Sequence, residues 1–212
     1  MIAHRIPPPC VALVLASLLA GCQSAPTRFF MLEPVAPVSI AGSYTGPAIA
    51  VAAVHIPPAL DRSDIVSEVA PGEFKVSDLE QWIAPLGQGI RQALSADLAA
   101  RLPAGRVIFP HLAKPPGTIA VSVDLLSFDA GPRVATLQVS WLGTADGAQP
   151  GAQPRSIGGT LRLQTPRSGE GAASMASALS ALVAQLADRI VTELLMAAQA
   201  IDSRTAPCAP LS

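Results

Sequence analysis

TIAVSVDLLSFDAGPRVATLQVSWLG, residues Thr118–Gly143, decides the fold class. Ile119, Val121, Val123 and Leu125 alternate with polar or small neighbours, and so do Ala135, Leu137, Val139 and Trp141. A period of two puts each set on one face of a strand. The Gly131-Pro132 pair between the runs leaves room only for a short link, so the strands pair antiparallel. A third run, SIGGTLRLQT, places Ile157, Leu161 and Leu163 on one face with Arg162 and Gln164 opposite, and extends the pair to a meander. Within it Gly158-Gly159 predicts a bulge. TADGAQPGAQPR, between the second and third runs, is a polar connection with a small GAQP repeat and predicts a mobile tip.

Helices flank this core. Downstream, Leu179, Leu182, Val183, Leu186, Ile190, Leu194 and Leu195 recur at three- and four-residue spacing and predict a helix from about Gly171 to Ala200. Upstream, Ser77-x-x-Glu80 has the form of a capping box. The stripe Ile83, Leu86, Ile90, Leu94 and Leu98 after it predicts a second helix ending at Leu102-Pro103, with Pro85 either in its first turn or delaying its start. Val107–Pro110 predicts a short strand. DIVSEV and EFKVS, either side of Pro71-Gly72, predict a hairpin with a type II turn. Ala48–Pro58 predicts a strand stopped by Pro57-Pro58, and Arg28–Leu32 a short one before it. The sum is α/β: a single domain over 28–201, with a mixed sheet of about six or seven strands including an antiparallel meander, and two long helices packed on it. Residues 202–212 predict a disordered tail.

The amino terminus has a different character. Arg5 precedes VALVLASLLA, an apolar run of about ten residues, too short for the roughly 20 that span a bilayer and of the length of a signal h-region. Leu19-Ala20-Gly21-Cys22 ends it and looks like the lipobox of bacterial lipoproteins. Residues 1–21 thus read as a lipoprotein signal, Cys22 as the lipidation site and 22–27 as a short tether. Of the three cysteines, Cys10 would leave with the signal and Cys22 would carry a thioether. Cys208 would then have no intramolecular partner. The formal net charge of −1 gives no basic field for nucleic acid.

Residues able to do chemistry are sparse. His55 and His111 stand near prolines in apolar surroundings without paired ligands, so no metal site is expected. No nucleophile elbow is present, and Gly87-Gln88-Gly89 follows no strand and precedes no lysine. Asp124 and Asp129, five residues apart, would point to opposite faces of a regular strand. No enzyme and no cofactor beyond the lipid on Cys22 are expected. HIPPALDRSDIVSE stands out, with Asp61, Arg62 and Asp64 between Leu60 and Ile65. It reads either as a solvated turn with a local ion pair or as a semi-rigid loop, stiffened by Pro57-Pro58, that meets a partner.

The order V-H-I-P, L-D-R-x-D-I-V, a hairpin, W-x-x-P-L opening a helix, then G-T-L-R-L and an Ala/Leu-rich helix resembles the ABC-type transport auxiliary lipoprotein family, its PqiC (YmbA) group. The resemblance covers Val51–Val66, Phe74–Leu102 and the closing helix. It implies a lipoprotein on the periplasmic face of the outer membrane, with Gln23 after Cys22 suiting that destination. The implied role is a docking and assembly module of an intermembrane lipid transport system. The implied partners are an MCE-domain protein and inner-membrane transporter components, with phospholipid and a second copy of the chain as further candidates. By motif match, Leu60, Asp61, Arg62, Ile65, Trp82, Pro85 and Leu86 are the implied partner-binding positions. SGEGAAS departs from the family, which often carries more aromatic residues before its last helix. The alternative function is a stand-alone carrier holding acyl chains in a cavity.

Overall fold

A computed structural model describes residues 25–37, 44–70, 72–145 and 155–205. The signal segment, Cys22, the GAQP repeat, Pro71 and Cys208 lie outside the described residues. Among the described residues seven strands and two helices follow in the order β1 (Arg28–Phe30), β2 (Ile49–His55), β3 (Asp64–Ala70), β4 (Glu73–Trp82), α1 (Leu86–Arg101), β5 (Ile119–Ala130), β6 (Val134–Ala145), β7 (Arg155–Pro166) and α2 (Gly171–Thr205).

The strands form two mixed sheets, where the sequence predicts one. In the larger, ordered β2-β5-β6-β7, the antiparallel meander covers only β5 to β7, and β2 lies parallel to β5. In the smaller, ordered β1-β4-β3, the predicted hairpin β3–β4 is joined by β1, parallel to β4. Gly72 in the hairpin turn has φ +77°, the left-handed value that a type II turn needs at its third position. The split follows Pro57 and Pro58: they end β2 without N–H donors, and the chain restarts as β3 in a new sheet.

Both helices cover one face of the larger sheet, and the core lies between. Ile119, Val121, Val123 and Leu125 of β5 and Ala135, Leu137, Val139 and Trp141 of β6 are all buried, as their alternation requires. A bulge at Leu126 then breaks the period. Ser127 pairs with Gln138, Phe128 returns to the core side, and Asp129 pairs with Thr136 as Asp124 pairs with Ser140. Asp124 and Asp129 therefore share the outer face, contrary to the regular-strand expectation, but stand five residues apart along it, roughly 16 Å.

Helix α1 begins at Leu86, with Pro85 as its N-cap residue at φ −49° and ψ 136°. Ser77–Glu80 is not a capping box. That stretch continues β4, because pairing with β1 and β3 satisfies its backbone, and Pro85 disfavours helix at the residue before it. Ile83 accordingly drops out of the stripe and is exposed, whereas Leu86, Ile90, Leu94 and Leu98 are buried. The predicted strand at Val107–Pro110 reduces to a single parallel bridge from Val107 to Ile49. Gly158-Gly159 marks no bulge, since β6–β7 register is continuous there. A Cβ on Gly158 would come 2.2 Å from the Trp141 carbonyl oxygen, so close approach of backbone is what requires glycine. Helix α2 runs to Thr205, past the predicted helix end at about Ala200, for no proline intervenes before Pro207.

Candidate functional site

The loop from β2 to β3 folds tightly, with the Pro57 carbonyl accepting the N–H groups of Leu60 and Asp61 at 2.8 and 3.2 Å. This turn carries the Asp61 carboxylate to the start of α1, where Oδ1 accepts the Gly87 N–H at 3.4 Å. Pro85 makes no side-chain cap of its own. An acidic group borrowed from another loop thus meets the orphan donors and the positive pole of the helix. Arg62 turns the other way. Its Nε and Nη2 both reach Asp64 Oδ2, at 3.0 and 2.6 Å, while Gln81 Nε2 donates to Asp64 Oδ1 at 3.2 Å. The Trp82 N–H donates to the Ser63 carbonyl at 2.6 Å. The charged loop is therefore tied both to the helix start and to β4.

The seven positions implied by the resemblance come together in space but divide by burial. Ile65, Trp82 and Leu86 are only 3, 6 and 5% exposed and belong to the core, with half-buried Leu60 packed against it. Asp61, Arg62 and Pro85 are exposed. The apolar members hold the loop on the helix start; the charged pair and Pro85 form its accessible edge.

Three further arrangements escaped the sequence. First, His55 and Asp124 face each other in the parallel register of β2 and β5, with Nδ1 and Oδ1 3.0 Å apart and both side chains solvent-exposed. Among the described residues no group of three potential metal ligands assembles.

Second, the segment after β1 is clamped between the helices. The Glu33 N–H donates to Ser180 Oγ of α2 at 3.1 Å, and the Val35 N–H donates to Asp97 Oδ1 of α1 at 2.9 Å. Arg101 closes the clamp: Nη1 donates to the carbonyls of Val35 and Asp97 and to Asp97 Oδ1, and its Nε and Nη2 fork onto Asp188 of α2. Asp97 and Arg101 are buried within the α1 core stripe. Burial pushes the Asp97 carboxyl above the ordinary carboxylate range, and the Val35 N–H and Arg101 offset this only in part.

Third, the outer face of the smaller sheet carries four exposed apolar side chains around Gln81. β1 and β4 pair in parallel with Phe29 opposite Gln81 and Phe30 opposite Trp82. Since Phe30 and Trp82 turn to the core, the alternate residues turn out. Phe29, Met31, Leu79 and Ile83 are 61, 57, 40 and 68% exposed.

Two spaces adjoin these elements. A pocket of about 40 Å³ lies beside Trp82, Leu86 and Gly89. An open groove of about 670 Å³ runs between Phe29, Met31 and Val35 on one wall and Ala176, Ser177 and Ala181 of α2 on the other. Among the described residues no helix is long and apolar enough to cross a membrane.

The model of the family described as ABC-type transport auxiliary lipoprotein component matches residues 30–191. No curated protein matches the sequence significantly. The crystal structure of an uncharacterised protein superimposes with a TM-score of 0.64 at 18% identity, covering 80% of this chain and 99% of that one. A Xanthomonas campestris protein of the DUF330 family superimposes with a TM-score of 0.57 at 17% identity, covering 82% and 99%. At such identities these structures establish the shared fold.

Proposed function

The chain belongs to the family of ABC-type transport auxiliary lipoprotein components, and from that premise we propose that it serves as a docking and assembly module of an intermembrane lipid transport system. In this reading Cys22 carries the diacylglyceryl anchor and the domain faces the periplasm from the outer membrane. An MCE-domain protein with its inner-membrane transporter is the partner. The observation that carries the reading is the family match over residues 30–191, nearly the whole described domain. Gln23, instead of an aspartate, after the lipidated cysteine supports the outer membrane.

Anchoring makes a weak protein contact effective by raising local concentration. Asp61, Arg62 and Pro85 offer the accessible edge, on a loop held rigid by the Gly87 and Asp64 contacts. Arg62→Gln removes the charge and the exposed ion pair without setting a like charge beside Asp64, and it leaves the helix cap in place, so it tests docking with little effect on folding. The variant is expected to melt like wild type and to capture less of the MCE-domain protein from detergent-solubilised membranes. Undiminished capture would return the loop to a solvated turn.

A lipid carrier is the second reading, favoured by the open groove beside Phe29 and Val35. Native mass spectrometry of the purified chain separates the two: stoichiometric phospholipid retained by the Cys22→Ala form supports the carrier, and its absence supports the docking module.

A further inference from the structure

Four apolar side chains on the outer face of the smaller sheet stay largely exposed among the described residues. Phe29 lies in β1 and Met31 just after it, Leu79 lies in β4 and Ile83 just after it, and the parallel pairing of β1 with β4 brings the two pairs together. The Ile83 N–H donates to the Phe30 carbonyl at 2.9 Å, which carries the pairing past the end of β1 and brings Ile83 next to Met31. A cluster of exposed apolar side chains suits the boundary between headgroups and acyl chains.

The position in the chain selects the occupant. Phe29 follows Cys22 by seven residues, which span at most about 25 Å when fully extended. With the lipid on Cys22, this face lies within that reach of the bilayer surface. The Glu33 and Val35 contacts to α2 and α1 fix the segment relative to the rest of the domain, so a seat made here would set the orientation of the whole fold.

We propose that Phe29, Met31, Leu79 and Ile83 form a membrane-seating face that rests on the phospholipid surface to which the chain is anchored. Holding the protein on the membrane falls to the lipid; the face sets its tilt and turns the opposite side of the domain toward the periplasm. The proposal rests on the reading that Cys22 is lipidated.

Cysteine protection tests it on the full lipidated chain. Ile83→Cys and, as control, Leu142→Cys on the outer face of the larger sheet are each made in a Cys208→Ser background, and both native residues are exposed. The proteins are reconstituted on vesicles of phosphatidylethanolamine and phosphatidylglycerol and labelled with a membrane-impermeant maleimide. Ile83→Cys is expected to label roughly tenfold more slowly on vesicles than in the unlipidated Cys22→Ala form, with Leu142→Cys equal in both. Equal rates at residue 83 in both forms would overturn the seating face. So would a residue 83 that labels freely on vesicles and is protected only when the MCE-domain protein is added, which would assign the face to that partner. The intact mass of the mature chain separates the two failures: without the lipid adduct the anchored reading falls and this one with it, and with the adduct only the seating face falls.

Discussion

Arg101 of α1 forks onto Asp188 of α2, with Nε 2.6 Å from Oδ1 and Nη2 3.2 Å from Oδ2. The same guanidinium contacts Asp97 and the Val35 carbonyl, so one buried cation joins two helices and the amino-terminal segment. Replacing it leaves Asp97 buried without its counter-charge. Arg101→Met is expected to lose about 3–5 kcal/mol of unfolding free energy. Urea unfolding followed by far-ultraviolet circular dichroism measures this; a loss under 1 kcal/mol would show that Asp97 finds other compensation. Arg101→Lys should rescue little, because a point charge cannot reproduce the fork.

The protonation of Asp97 gives a pH signature. Its folded-state pKa is raised, so the folded chain binds the proton more tightly than the unfolded one. The stability this contributes is fully present below the unfolded pKa and is lost as pH rises through the folded one. Relative to Asp97→Asn, in which this site cannot ionise, wild type is expected to become less stable between pH 4 and pH 7. Urea midpoints of both proteins across that range decide the matter, and a wild type that gains on the variant would reverse the sign.

Gly158 and Gly159 are adjacent in β7 but should respond differently. A Cβ at Gly158 meets the Trp141 carbonyl oxygen at 2.2 Å and the Leu142 Cα at 2.9 Å, and backbone cannot yield without disturbing β6. A Cβ at Gly159 meets nothing within 4 Å. Gly158→Ala is expected to lower stability by about 2 kcal/mol or more, whereas Gly159→Ala should be neutral or stabilising by up to about 1 kcal/mol. Thermal melts of the two variants side by side test the contrast, and equal melting temperatures would contradict it.

Asp61 is separable from the partner question by amide exchange. Removing its carboxylate in Asp61→Ala exposes the Gly87 donor and withdraws a negative charge from the helix start, costing about 0.5–1 kcal/mol. The effect should be local: faster hydrogen exchange in the first turn of α1, with β5 and β6 unchanged. Unchanged exchange there would mean that the 3.4 Å contact contributes no capping.

Which parts of this were legible from residues alone follows from how local their causes are. The inward faces of β5 and β6 came directly from alternation, because the helices bury the side of that sheet on which the apolar residues recur. The bulge left a trace too: Leu125-Leu126 breaks the alternation and Phe128 restores it. The false helix start at Ser77 has a different origin. S-x-x-E is a local signal, and it lost to pairing with β1, some fifty residues earlier in the chain. The division into two sheets rests on two parallel pairings of this kind, whose register no short stretch encodes. The Asp97–Arg101 pair was readable in principle, as opposite charges four residues apart within an apolar stripe. The candidate docking loop was legible as a charged interruption, but the division between its core and surface members needed the fold.

The clamp at Glu33 and Val35 also decides how the domain bears tension. A pull on the amino-terminal side runs along β1, parallel to β4, so the ladder there is loaded in shear and its hydrogen bonds share the force. Beyond β1 the load reaches Ser180 on one helix and Asp97 on the other before it can unravel the chain further. Drag from a moving partner would therefore be transmitted into the helix pair, and the domain would swing as a unit before its first strand came away.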